Sequence, residues 1–172
     1  MYLITGIQAA GKSTVAQALA RRLPRSAHVR GDMFRRFITG GSAQMSPEPS
    51  PEALAQLRLR HRLAARTADD YEEAGFTAVL QDTFLGEFLP YTIEQIRTNP
   101  LYVVVLAPRP DAVARREAGR AKDAYLPGSF TVADLDAVLR TETPRIGLWL
   151  DSSDLTVEQT VDEILARATP VR

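Results

Sequence analysis

The order of apolar patterns along these 172 residues predicts a three-layer α/β fold, a parallel sheet sandwiched between helices. Short apolar runs alternate with segments of helical period, which implies parallel strands joined by right-handed crossovers. The run Leu101-Tyr102-Val103-Val104-Val105-Leu106-Ala107 is too continuously apolar to leave one face in water. By size the chain is one domain, long enough to bury a sheet with helices on both faces.

Tyr2-Leu3-Ile4-Thr5 reads as a first buried strand ending in glycine. From Lys12 to Leu23 the period changes: Val15, Leu19 and Leu23 recur every four residues with alanines between them, as on a helix packed closely on a sheet. Pro24 stops it. A second strand fits Ala27-His28-Val29-Arg30, followed by Gly31-Asp32 and a helix through Ile38. Residues 40–51 are rich in Gly, Ser and Pro and read as a mobile loop. Pro51 opens a long helix to about Ala74, in the first-turn position that proline tolerates. Its apolar stripe runs through Leu54, Leu57, Ala64, Ala68 and Tyr71. His61 lies on the same stripe and reads as a packed histidine rather than a ligand. Phe76 to Asp82 forms a third strand ending in an acid, and Leu101–Ala107 the fourth. A helix follows Pro108 and Pro110, and a polar, arginine-rich stretch then runs to about Phe130. Thr131 starts another helix with Asp134 as its capping-box partner. A fifth strand fits Arg145 to Leu150, and a closing helix spans Val157 to Ala168.

Composition excludes several classes. The 21 basic and 21 acidic side chains cancel, which disfavours a dedicated binder of long nucleic acid. Without cysteine there are no disulfides, thiolate metal sites or cysteine nucleophile. No apolar run approaches the ~20 residues of a membrane span, and no basic leader precedes the first strand, so a cytoplasmic location is expected.

The segment Gly6-Ile7-Gln8-Ala9-Ala10-Gly11-Lys12-Ser13 has glycine, four residues, glycine, lysine and serine between a strand and a helix. That context turns the pattern into a mechanism. Glycine permits backbone angles and close approaches that a Cβ would block, so successive amides point inward around phosphate oxygens at a helix N-terminus. Lys12 then reaches the β- and γ-phosphates and the Ser13 hydroxyl ligates Mg²⁺. The expected nucleotide contacts are Gly6, Gln8, Ala9, Ala10, Gly11, Lys12, Ser13 and Thr14. ATP is expected over GTP, because no Asn-Lys-x-Asp guanine reader occurs.

Gly31-Asp32-Met33-Phe34-Arg35, the strand ending at Asp82 and the arginine-rich stretch after the fourth strand resemble small P-loop kinases. The similarity is to the chloramphenicol phosphotransferase-like, AAA-type group, which includes zeta toxin-like and adenylylsulfate kinase-like proteins. It covers nearly the whole chain in order of elements, and only the phosphate loop is highly specific. It implies a P-loop NTPase fold with a five-stranded parallel sheet in the kinase-type order 2-3-1-4-5. It also implies a single kinase domain over residues 1–172 with a short arginine-rich lid at about 113–130.

The resemblance assigns Asp32 to accept or orient the proton of an acceptor hydroxyl. A carboxylate at the end of a neighbouring parallel strand would face the γ-phosphate, although an Asp after Gly can also simply cap a helix. Arg35, one helical turn on, shares that face and could grip a substrate anion or the transferring phosphoryl group, or stand solvated. Asp82 resembles a Walker B acid that holds Mg²⁺ through water or faces the acceptor; a turn cap is the plainer alternative. Thr83, Phe84, Leu85 and Gly86 would line the acceptor pocket, with Phe84 as an aromatic wall. Within the lid, Arg116 and Arg120 share a helix face and are the expected catalytic arginines, against the plain reading of Arg115, Arg116, Arg120 and Lys122 as a solvated run. Closure of such a lid excludes competing water. Tyr125 would cover the acceptor or stack on the base. By analogy of fold position, Asp151-Ser152-Ser153-Asp154 would meet the base.

The expected activity is ATP- and Mg²⁺-dependent transfer of the γ-phosphate to a hydroxyl of a small molecule. A kinase of polynucleotide ends is an alternative, and so is a nucleotide-dependent switch with slow ATP hydrolysis. The partners are therefore ATP and a small acceptor, with nucleic acid and membrane disfavoured. Oligomeric state stays open, a homodimer included.

Overall fold

Five parallel strands form one sheet in the order β2-β3-β1-β4-β5 in the computed structural model, which describes residues 1–118 and 130–172. At its centre β1 (Tyr2–Gly6) pairs with β3 (Thr77–Gln81) on one side and β4 (Tyr102–Leu106) on the other. The edges are β2 (Ser26–Arg30), which pairs with β3, and β5 (Leu148–Leu150), which pairs with β4. Leu3, Ile4 and Val103 through Leu106 are fully buried, as strands covered on both faces require. Thr5 belongs to that buried set because its hydroxyl donates to the Phe84 carbonyl at 2.9 Å and accepts from the Phe84 amide at 2.8 Å. A polar side chain in the core is thereby satisfied, and the segment leaving β3 is tied to β1.

Helices cover both faces of the sheet. The first helix, α1 (Lys12–Arg22), buries Val15, Ala16, Leu19 and Ala20 and packs against α6 (Val157–Arg167). The long α2 (Pro51–Glu73) starts at Ser50, whose hydroxyl accepts from Ala53, with proline in the first turn. Its small residues Ala64, Ala65 and Ala68 let it approach β3 closely. Among the described residues no helix is long and apolar enough to cross a membrane.

Three elements depart from the sequence reading. The helix after β2 is a 3₁₀ helix over Gly31–Phe37. Phe88–Gln95 forms a further helix, α3, to which the sequence reading assigns nothing. Pro90 sits in its first turn, where a missing N–H costs no hydrogen bond. The fifth strand is shorter than expected because Gly147 adopts a positive φ of 73° and interrupts the run before Leu148. After α4 (Pro110–Ala118), residues 119–129 lie outside the described part of the structure, and with them Arg120, Lys122 and Tyr125. The Thr131–Asp134 capping box forms as expected at the start of α5 (Val132–Ala137), which continues as a π-helix through Glu142.

Candidate active site

The C-terminal ends of the strands open into one cavity of about 1010 Å³. Its lining follows the strand order. From the β2 side come Arg30, Asp32, Arg35 and Arg36, and then Gln81, Asp82 and Thr83 from the end of β3. The phosphate loop, Gln8 through Val15, follows β1, with Arg116 and then Ser152, Leu155 and Thr156 on the β4–β5 side. Ligands in open α/β sheets bind at this edge, beyond the carboxyl ends of the strands.

The phosphate loop is built from backbone. Gly6 and Gly11 hold φ values of 148° and 95°, and a Cβ on Gly6 would collide with the Leu106 carbonyl of the adjacent strand. Ala9 also adopts a positive φ of 60°, and Ala10 N–H closes a turn onto the Ile7 carbonyl at 3.2 Å. Alternation of such angles turns amides toward a common hollow, the geometry of an anion nest. Lys12 Nζ donates to the Ile7 carbonyl at 2.8 Å, which folds the ammonium over the loop. Ser13 and Thr14 are exposed at the start of α1, where the helix dipole favours negative charge.

Asp32 lies in the first turn of the 3₁₀ helix and lines the same cavity. It does so from two strands away, because β3 rather than β2 is the neighbour of β1. The cap of this helix is Arg30, and Asp32 is not tied up in capping. Its Oδ2 faces Arg30 Nη2 at 3.5 Å, while Oδ1 is shielded from solvent without a hydrogen-bond partner. Arg35 and Arg36 also line the cavity.

Asp82 is 2% exposed and is paired with Arg60 of α2: Arg60 Nε donates to Oδ2 at 2.6 Å and Nη2 donates to Oδ1. Burial pushes the carboxyl up, but the Arg60 charge and hydrogen bonds outweigh it and hold Asp82 below the usual carboxylate range. Gly31 packs directly on this carboxylate, and a Cβ there would overlap Oδ2. His61, next to Arg60, is fully buried edge-on against Phe84 and Phe88, with neither ring nitrogen hydrogen-bonded. Burial drives its pKa down to about 4 despite the nearby Asp82 charge, so it is neutral at pH 7 and packs as the sequence reading expects.

Phe84 is not a wall of the cavity. Its ring is fully buried against His61, because the two Thr5 hydrogen bonds turn this segment inward. Leu85 is buried likewise, and the Gly86 amide is held by Thr143 Oγ1 at 2.8 Å, which leaves Thr83 as the residue of this group that lines the site. Arg115 pairs with Asp111 at 2.6 Å on the surface. Arg116 instead reaches inward, with Nη1 donating to the Ala10 carbonyl at 3.2 Å and Nη2 to the Ser152 carbonyl at 2.5 Å. It thereby bridges the phosphate loop and the loop after β5.

For Mg²⁺ the donors present are hard oxygens. Ser13 offers an exposed hydroxyl beside Lys12. Asp82 already accepts three N–H groups, from Arg60 Nε, Arg60 Nη2 and Thr83 N, out of roughly four lone-pair sites on a carboxylate. That suits a water-mediated hold rather than direct ligation. Among the described residues no cluster of three His, Cys, Asp or Glu side chains exists. The remaining ligands would be phosphate oxygens and water, the usual company of Mg²⁺.

Residues 1–144 match the family model described as AAA domain. The chain belongs to this AAA-domain family. No curated protein matched the sequence. Among solved structures, a sugar kinase from Janibacter sp. is similar with a TM-score of 0.69 at 18% identity, covering 96% of this chain and 92% of that one. Shikimate kinase from Bacteroides thetaiotaomicron gives 0.60 at 16% identity, covering 96% of each chain. A gluconokinase from Sinorhizobium meliloti gives 0.60 at 19%, covering 96% of this chain and 89% of its own. At these identities the likeness is one of fold, and that fold is the small P-loop kinase fold.

Two cavity residues of this AAA domain escape the sequence reading. Arg60 stands one turn from Leu57 and one from Ala64 on the apolar stripe of α2, and a charged residue on such a stripe calls for a buried partner. Gln56 holds the segment expected to be a mobile loop: its Oε1 accepts from Ala43 N at 2.9 Å and its Nε2 donates to the Gly41 carbonyl at 2.8 Å. Ser42 through Met45 consequently form a strap along the cavity. No local pattern announces that contact.

Proposed function

We propose that the chain is a single-domain phosphotransferase that moves the γ-phosphate of ATP to a hydroxyl of a small molecule. The observation that carries this reading is one cavity with the phosphate loop at its centre and the unpartnered Asp32 Oδ1 on its β2 side. The sugar, shikimate and gluconate kinases among the similar folds support it.

In this reading the loop amides and Lys12 bind the β- and γ-phosphates, and Lys12 exchanges the Ile7 carbonyl for phosphate oxygen. Arg116, already against the loop, neutralises charge on the transferring group, while the Ser152–Thr156 side takes the nucleoside. The Asp32 carboxylate accepts a hydrogen bond from the acceptor hydroxyl, sets that oxygen in line with the phosphorus and takes its proton as the bond forms. In phosphoryl transfer such positioning and charge stabilisation supply most of the rate. Ser13 and, through water, Asp82 would hold Mg²⁺, which when bound would supply neutralisation of the phosphate charge. Asp82 also fixes Arg60 at the cavity wall. A lid role for Arg120 and Tyr125 belongs to this reading, and both lie outside the described residues.

Asp32→Asn tests the reading. Phosphoryl transfer to a panel of hydroxylated metabolites should fall about 10²- to 10⁴-fold, the range for losing a positioned acid–base group, while affinity for ATP holds. Unchanged transfer, or the absence of any phosphorylated product from the wild-type protein, would sink it.

A further inference from the structure

Among the described residues the cavity carries six basic side chains, Lys12, Arg30, Arg35, Arg36, Arg60 and Arg116, against two acids, Asp32 and Asp82. Arg60 is spent on Asp82, and Arg30 faces Asp32 at 3.5 Å. Lys12 belongs to the phosphate loop, and Arg116 is held there by the Ala10 and Ser152 carbonyls. What remains uncompensated lies on the β2 side. Arg35 and Arg36 are exposed to the cavity, and among the described residues neither has an acidic partner. Both stand on the 3₁₀ helix that carries Asp32, which follows β2, and β2 lies two strands from the β1 that leads into the phosphate loop.

We propose that the acceptor is itself an anion, a small hydroxylated carboxylate or phosphate whose charged group is gripped by Arg35 and Arg36 while its hydroxyl meets Asp32. This rests on the phosphotransferase reading. A 3₁₀ helix has three residues per turn and a rise of about 2 Å, so Asp32 and Arg35 stack on one side about 6 Å apart along the axis. A hydroxyl and an anionic group on one small molecule span that separation; a bulky acceptor is not required. Guanidinium groups present a planar fork that matches carboxylate and phosphate oxygens two at a time. The strap Ser42–Met45, tethered by Gln56, borders the same cavity.

The test uses protein saturated with Mg²⁺ and a non-hydrolysable ATP analogue, so that the phosphate loop is occupied. Glycerate, glycerol 3-phosphate and neutral glycerol are titrated by calorimetry into the wild-type protein and into an Arg35→Gln/Arg36→Gln double variant. At least one of the two anions should bind more tightly than glycerol, and the double variant should lose that binding by about tenfold or more with analogue affinity unchanged. Whichever anion is preferred identifies the group as carboxylate or phosphate. Anions no better than glycerol, or anion binding that survives the double substitution, would overturn the proposal. Failure of the wild-type protein to bind the analogue would instead defeat the phosphotransferase reading, and this one with it.

Discussion

The two ends of the cavity are built on different principles. The phosphate loop is made of backbone over eight consecutive residues, held by positive-φ positions at Gly6, Ala9 and Gly11. The β2-side end is made of side chains from the 3₁₀ helix, the strap at 42–45, α2 and the end of β3. Its central contact, Arg60 with Asp82, joins residues 22 apart in sequence. Backbone geometry set by local residues tolerates loss of a side chain without unfolding. A wall that depends on a buried ion pair does not.

Breaking that pair should therefore give the largest effect on stability. Arg60→Ala leaves the carboxylate of Asp82 buried and unpaired, and urea denaturation should show a loss of about 3–5 kcal/mol. Combining Arg60→Met with Asp82→Leu should restore most of it, since an apolar pair of similar size removes the unpaired charge. If Arg60→Ala is as stable as the parent protein, the β2-side wall does not rest on this contact.

Lys12→Ala should act the other way round. ATP turnover is expected to fall about 10²- to 10³-fold, the cost of removing one preorganised donor from a charge-developing site. Stability should change by less than about 1 kcal/mol, as for other substitutions away from the core. A large drop in melting temperature with turnover preserved would reverse the contrast drawn above.

Titration of His61 sharpens the comparison further. Its folded pKa of about 4 lies below the ordinary 6.5, so between these values the unfolded chain binds a proton that the folded protein does not. Stability is therefore unaffected above pH 6.5 and declines as pH falls toward 4, by about 3 kcal/mol at 1.36 kcal/mol per unit. Asp82 contributes outside this window. Its carboxyl is held below the ordinary value, so its stabilisation persists above the unfolded pKa and is lost only as pH falls through the lower folded one. His61→Leu should flatten the loss between pH 6.5 and 4, and parallel pH profiles for the two proteins would show that His61 is not the group responsible.

How much of this was legible follows from the same contrast. The first four strands, the phosphate loop and the capping box at Thr131 are signalled by residues within a few positions of one another, and they fold as the local pattern says. The placement of Phe84 is not. An aromatic after an acid at a strand end looks like a pocket wall, and only the hydroxyl of Thr5, 79 residues away, turns the segment into the core. Asp82 shows the same limit: its position at the strand end is plain from sequence, but its partner on α2 is not.

By itself, then, the sequence determined the α/β layering and the anion nest, because alternation of period and a glycine-spaced loop are local properties of the backbone. Tertiary structure alone decided which side chains meet across the cavity. Arg60 with Asp82, Gln56 with the strap, and Arg116 with the Ala10 and Ser152 carbonyls each join separate elements. Contacts of that kind depend on how helices dock on the sheet, which no short stretch of chain encodes.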